Sequence, residues 1–136
     1  MKQDFFVDIM SQRPLYQELL LEHYRSPRNK GVLFGYTISG GSYNPSCGDE
    51  LSIQAVVEND VLTVIMFQGK GCIVSQAAGS LFTEKIVGMT LVHIMQLSAQ
   101  DMQKLLSIEL GPTRLRCALL VLESVQKAIA VYRQAS

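Results

Sequence analysis

One small antiparallel sheet packed against a layer of helices, an α+β fold, is what three features of this sequence predict together. Leu51, Ile53, Ala55 and Val57 alternate with Ser52, Gln54 and Val56. Asn59-Asp60 and a second β-rich run, Val61 to Gln68, follow, which is the pattern of a β-hairpin. Apolar residues at helical spacing come before this hairpin, and helical patterns fill most of the chain after it. Helix, then strands, then helices is the order expected when one sheet carries its helices on one face.

Each element has its own signal. Pro14 suits a first helical turn, and Leu15, Tyr16, Leu19, Leu20 and His23 recur at helical spacing, so a helix is predicted from about Pro14 to Arg25. Ser26-Pro27-Arg28-Asn29-Lys30-Gly31 breaks it. Tyr36 to Ser42 reads as a short edge strand ending at Gly40-Gly41, and the hairpin follows. Gly69-Lys70-Gly71 ends the second hairpin strand. From Cys72 to Val87 the pattern is helical, with Ala77, Ala78, Leu81 and Phe82, and Gly88 stops it. Thr90 to Gln96 reads as a short helix. Ser98 can cap another, with Asp101 suited to its first turn. Gly111-Pro112 is a break, and a last helix is predicted from about Arg114 to Arg133. Met89, Met95 and Met102 are expected to fill gaps in the core.

The totals narrow the function. The 136 residues fit a single domain, 1–136, with residues 1–12 expected as a loose N-terminal segment. Twelve basic residues balance twelve acidic ones, which argues against nucleic acid or an anionic membrane as the main partner. The longest apolar run, Cys117 to Leu122, is too short to span a bilayer, and the N-terminus shows no secretory signal pattern. Three cysteines cannot all pair within one chain, so reduced thiols and a cytoplasmic location are expected.

The chemistry lies with those cysteines. Cys47 sits in Asn44-Pro45-Ser46-Cys47-Gly48-Asp49, Cys72 follows Gly69-Lys70-Gly71, and Cys117 follows Arg114-Leu115-Arg116. Three thiolates leave one position of a tetrahedral metal site, and Asp49 stands two residues from Cys47. The two ends of an antiparallel hairpin are neighbours, so Cys47, just before the first strand, and Cys72, just after the second, should approach each other. Cys117 then joins them from the final helix. Cys72 and Cys117 are both predicted at helix starts, where exposed N–H groups favour a thiolate, and Lys70, Arg114 and Arg116 add positive charge. Gly48, Gly69 and Gly71 leave room for an incoming group. The competing reading is that Cys72 and Cys117 are small core residues. His23 and His93 read as structural histidines, Asp49 alone would read as a turn residue, and Arg25, Arg28 and Lys30 form a solvated basic patch.

Taken in order, Tyr24-Arg25-Ser26-Pro27-Arg28-Asn29-Lys30-Gly31, Asn44 to Asp49, Gly69-Lys70-Gly71-Cys72-Ile73-Val74-Ser75 and Arg116-Cys117-Ala118 resemble the NifU N-terminal/IscU/SufU family of iron–sulfur cluster assembly proteins, from about Leu15 to Tyr132. The resemblance implies the SufE/NifU-like form of the α+β fold, with Cys47, Asp49, Cys72 and Cys117 clustered at one exposed tip. It implies zinc or a [2Fe–2S] cluster as the occupant. A pyridoxal-phosphate cysteine desulfurase would be the sulfur donor, and apo iron–sulfur proteins the acceptors. The sequence carries features of two subgroups. Asn-Pro-x-Cys-Gly-Asp and Arg-Cys-Ala look like SufU, in which the Cys47 position is the natural sulfur acceptor. The short spacing between Met95 and Cys117 looks like IscU, in which the Cys117 position has that role. Arg116 stands where IscU usually has histidine, and Leu110-Gly111-Pro112-Thr113-Arg114 is a faint relative of its chaperone motif.

Three functions follow from these residues. The first is a scaffold for cluster assembly, non-enzymatic, that accepts sulfur and passes cluster on. The alternative is a zinc-dependent sulfurtransferase that activates a partner desulfurase. The third is a structural zinc module, which a chain large enough to fold without metal does not require.

Overall fold

A computed structural model describes residues 17–46 and 48–135. Helix α1 covers 17–25; its predicted start at Pro14 and the segment 1–12 lie outside the described residues. Three strands follow, β1 (Ile38–Asn44), β2 (Asp49–Glu58) and β3 (Val61–Lys70). Five helices complete the chain: α2 (Ile73–Ile86), α3 (Leu91–Met95), α4 (Ala99–Leu106), α5 (Pro112–Ala118) and α6 (Leu120–Ala135). The strands form one antiparallel meander in the order β1-β2-β3. The α+β class and its sheet-under-helices layering are as the sequence predicts.

The hairpin is built by its alternation and its turn. Asp49, Leu51, Ile53, Ala55 and Val57 of β2 are all buried, while Glu50, Ser52 and Glu58 on the other face are exposed. Asn59 and Asp60 both adopt left-handed φ values, 53° and 62°. That suits a two-residue turn matched to the twist of the strands, and asparagine and aspartate tolerate it best after glycine. A register shift between Val56 and Val57 moves the inward set of β3 to Leu62, Ile65 and Phe67. Each of these fully buried side chains contributes about 1.5–3 kcal/mol relative to exposure.

β1 runs further than predicted, through Gly40 and Gly41 to Asn44. The glycines read as terminators in the sequence, but here the need is for space. A Cβ on Gly40 would lie 2.6 Å from the Ser124 carbonyl oxygen and 3.0 Å from the Ala128 Cβ, so α6 crosses β1 where there is no side chain. The Ser124 hydroxyl reaches the Leu51 carbonyl at 3.1 Å as well as Leu120 in its own helix, which ties α6 to β2. The predicted final helix is also two helices. Pro112 opens α5 one residue after Gly111, and α5 ends at Ala118. At Leu119 the N–H is shared between the Leu115 carbonyl, 3.0 Å away, and the Arg116 carbonyl, 3.3 Å away, and this tightening separates α5 from α6.

Helix α2 is the centre of the molecule, buried on nearly all sides. Its polar residues form a seam with the Tyr24–Gly31 motif. His23 Nδ1 lies 2.7 Å from the Ser80 hydroxyl, which accepts the Arg28 N–H at 2.8 Å. Asn29 donates to Thr83 at 3.2 Å and Lys30 to Gln76 at 2.9 Å. Asn29 and Gly31 also bond the backbone of Phe67, so the motif flanks β3 as well as α2. His23 is thus structural, as predicted. Lys30 and Arg28 are not merely solvated, because Arg28 also pairs with Glu22 at 2.8 Å. Met102 is buried, and Met89 and Met95 pack on the core. No helix among the described residues is long and apolar enough to cross a membrane.

Burial, joined by the nearby Arg28 guanidinium, lowers the His23 pKa, while Glu84 and Glu22 oppose the shift. The folded state therefore favours neutral His23, hydrogen-bonded through Nδ1 to the Ser80 hydroxyl. A depressed histidine pKa contributes stability that is fully present above the unfolded value, near ~6.5, and is lost as pH falls through the folded value. Urea midpoints measured between pH 7.5 and 5 should fall for the wild type. His23→Gln should flatten that dependence, and an unchanged slope would contradict the assignment.

Candidate metal centre

The hairpin places the first ligand beside the second. Glu50 pairs with Lys70 across β2 and β3, so Asp49, the first residue of β2, reaches the chain just beyond the end of β3. Cys72 is the N-cap of α2, and its N–H donates to Asp49 Oδ2 at 3.3 Å. Cys117 comes from α5. One ligand atom from each of Asp49, Cys72 and Cys117 lies within 4.8 Å of the others, with Asp49 and Cys117 buried and Cys72 half-buried. Two thiolates on one tetrahedral zinc stand about 3.8 Å apart, from Zn–S bonds of about 2.3 Å. Contraction by roughly an ångström therefore suffices to close these three groups on an ion. Cys47, the predicted fourth member, lies outside the described residues. It belongs to the short link from Asn44 of β1 to Asp49 of β2, residues that face each other across the sheet.

One expectation needs correction. Cys117 is not at the start of a helix; it is the penultimate residue of α5, where carbonyls rather than N–H groups are unpaired. Of the two cysteines, Cys72 alone stands at a helix start, as the N-cap of α2. The two histidines take no part: His23 is bonded to Ser80, and His93 is exposed on α3.

The carboxylate is the hub of the site. Burial pushes the Asp49 pKa up, but hydrogen bonds from the Cys72 thiol and N–H, the Cys117 thiol and the Ser75 hydroxyl outweigh it and hold the carboxyl below its usual range. The carboxylate thus accepts hydrogen bonds from thiols whose protons must leave for solvent when a cation binds. Gly71 makes room for it: a Cβ there would meet Asp49 Cγ at 2.5 Å.

Several supporting residues had no role assigned from the sequence. Asn44, 4% exposed, points its Nδ2 at Cys117 Sγ from 3.9 Å, while its Oδ1 accepts the Ser46 N–H at 3.1 Å. It therefore links the loop that carries Cys47 to the helix that carries Cys117. Asn-Pro before the cysteine was the available signal, since asparagine often bonds the backbone two residues on. Ser75 bonds the Cys72 carbonyl at 3.1 Å. An open groove of about 850 Å³ lies next to the site, lined by Tyr43, Glu50, Gln68 and Lys70 among others, and neither Cys72 nor Cys117 lines it.

A buried carboxylate and two cysteine thiols are gathered at one end of an antiparallel sheet, a donor set that could hold a metal ion. The chain belongs to the NifU-like N terminal domain family, whose model matches residues 15–136. Among its relatives is the zinc-dependent sulfurtransferase SufU of Bacillus subtilis, 29% identical over 133 residues that cover 85% of this chain and 90% of that protein. The iron–sulfur cluster assembly scaffold protein IscU of Aquifex aeolicus is 34% identical over 119 residues, covering 86% and 75%. The fold is shared with the crystal structure of SufU from Fervidobacterium islandicum. That match has a TM-score of 0.72 and 22% identity, and it covers 82% of this chain and 94% of that one.

Replacing Gly71 by alanine should displace the Asp49 carboxylate. Competition against a chromophoric chelator should show zinc affinity reduced by about 10–100-fold, the range for loss of a ligand's support. Wild-type affinity would show that Asp49 is not held by this contact.

Proposed function

We propose that this chain is an iron–sulfur cluster assembly scaffold. It accepts sulfur from a pyridoxal-phosphate cysteine desulfurase and passes cluster to apo acceptor proteins, with Cys47, Asp49, Cys72 and Cys117 as the ligands. The observation that carries the reading is the convergence of Asp49, Cys72 and Cys117 within 4.8 Å. Thiolates suit iron–sulfur clusters and zinc, and one oxygen donor makes the set easier to exchange than a closed four-thiolate site.

In the first step a thiolate of this chain attacks the outer sulfur of the desulfurase persulfide. A new S–S bond forms on the scaffold, the donor S–S bond breaks, and the donor leaves as a thiolate, with no net oxidation. The sulfur arrives at the persulfide level, and two electrons from an external thiol or one-electron carrier must convert it to the sulfide that joins iron, releasing the scaffold cysteine as a thiolate. Asp49 supports both stages: it accepts hydrogen bonds from the cysteine thiols before their protons leave, and it offers an oxygen donor that a partner's ligand can replace. Asn44 and Ser75 hold the thiol-bearing elements around it.

A second reading, a zinc-dependent sulfurtransferase that activates its desulfurase, uses the same residues. Asn44-Pro45-Ser46-Cys47-Gly48-Asp49 and Arg116 favour it. It makes Cys47 the sulfur acceptor, whereas Cys117 is the alternative acceptor.

Anaerobic reconstitution with iron, cysteine and a desulfurase should give a [2Fe–2S] absorption spectrum, and its absence would count against the scaffold reading. Tightly held zinc, with stimulation of desulfurase turnover that Cys47→Ala abolishes, would favour the second. On the scaffold reading, Asp49→Ala should lengthen the lifetime of the bound cluster by about tenfold, the effect of ~1.4 kcal/mol on the exchange barrier. A shorter lifetime, followed by visible absorbance during transfer to an apo-ferredoxin, contradicts the labile-ligand role.

A further inference from the structure

Gln76 carries a donor that nothing described so far uses. It is 4% exposed on α2, and its Nε2 is buried with no hydrogen-bond partner among the described residues. Lys30 Nζ lies 2.9 Å from Oε1. An ammonium has only donors, so the amide oxygen must face it, and both Nε2 hydrogens are left for another acceptor. The orientation of the amide is therefore fixed rather than free to flip.

Its place on the helix relates the amide to the site. Gln76 stands one turn beyond Cys72, and its N–H donates to the Cys72 carbonyl at 3.2 Å. Long side chains on a helix lean back toward its N-terminus and lie over the residue four positions earlier. For Gln76 that residue is Cys72, a member of the metal-ligating group. The Lys30 charge also polarises the amide and strengthens it as a donor.

We propose that Gln76, oriented by Lys30, is the hydrogen-bond donor for a sulfur anion held at the Cys72 side of the metal centre. The inference rests on the metal-binding reading above and adds to it a residue that recognises the sulfur ligand itself. A small sulfur anion entering beside Cys72, within reach of the amide, would receive the Nε2–H. The Lys30 ammonium behind the amide would offset part of its charge. Gln76 is here a positioning residue, since it acts on the ligand and takes no part in bond making.

The test uses the full chain, loaded anaerobically with Co²⁺ and titrated with hydrosulfide. Sulfur-to-cobalt charge-transfer absorption reports both steps. Gln76→Leu and Lys30→Met should take up Co²⁺ as the wild type does but bind hydrosulfide about tenfold more weakly, the loss expected for one hydrogen bond to a charged acceptor. Gln76→Glu, which replaces the donor with an acceptor, should weaken it further. Lys30→Met leaves the buried amide in place and releases only its orientation, so it tests the idea even where Gln76→Leu disturbs packing. Wild-type hydrosulfide affinity in Gln76→Leu and Lys30→Met overturns this inference alone. Wild-type protein that shows no thiolate–cobalt absorption overturns the metal-binding reading, and this one with it.

Discussion

The pairing of β2 with β3 is the constraint on which the site depends. It sets Glu50 opposite Lys70, which places a carboxylate at the start of one strand beside the residues that follow the other. A one-residue slip would turn Asp49, Leu51, Ile53, Ala55 and Val57 out of the core together. The register that buries the core is therefore the register that brings Asp49 to Cys72. The left-handed pair Asn59 and Asp60 fixes it at the far end of the hairpin.

Helix α2 carries that order away from the sheet. Buried polar groups cost free energy unless they are paired, and His23 with the Tyr24–Gly31 motif supplies partners to Ser80, Thr83 and the Gln76 amide oxygen. The motif in turn flanks β3 through Phe67. Sheet, helix and motif thus specify one another, and Cys72 stands at the N-terminal end of the helix they hold.

The hairpin was legible because it is local: period-two alternation and an Asn-Asp turn lie next to each other in the chain. The approach of Cys72 to Asp49 followed from it. What was not legible depends on distant residues. Gly40 and Gly41 looked like a strand end, because nothing in their neighbourhood announces that α6 will cross there. The split at Leu119 has no glycine or proline to mark it, so Cys117 was placed at a helix start when it stands near a helix end. Asn44 meets Cys117 across 73 positions and Lys30 meets Gln76 across 46. Neither partnership leaves a periodic trace in the sequence.

The joint at Leu119 has a mechanical consequence. Cys117 rides on a seven-residue helix, while the sixteen-residue α6 beyond the joint is locked to the sheet through Ser124. Were Asp49, Cys72 and Cys117 to close on an ion, the joint at Leu119 would let α5 shift while α6 stays with the sheet. The short element, not the long helix packed on the sheet, is where any adjustment around Cys117 would fall.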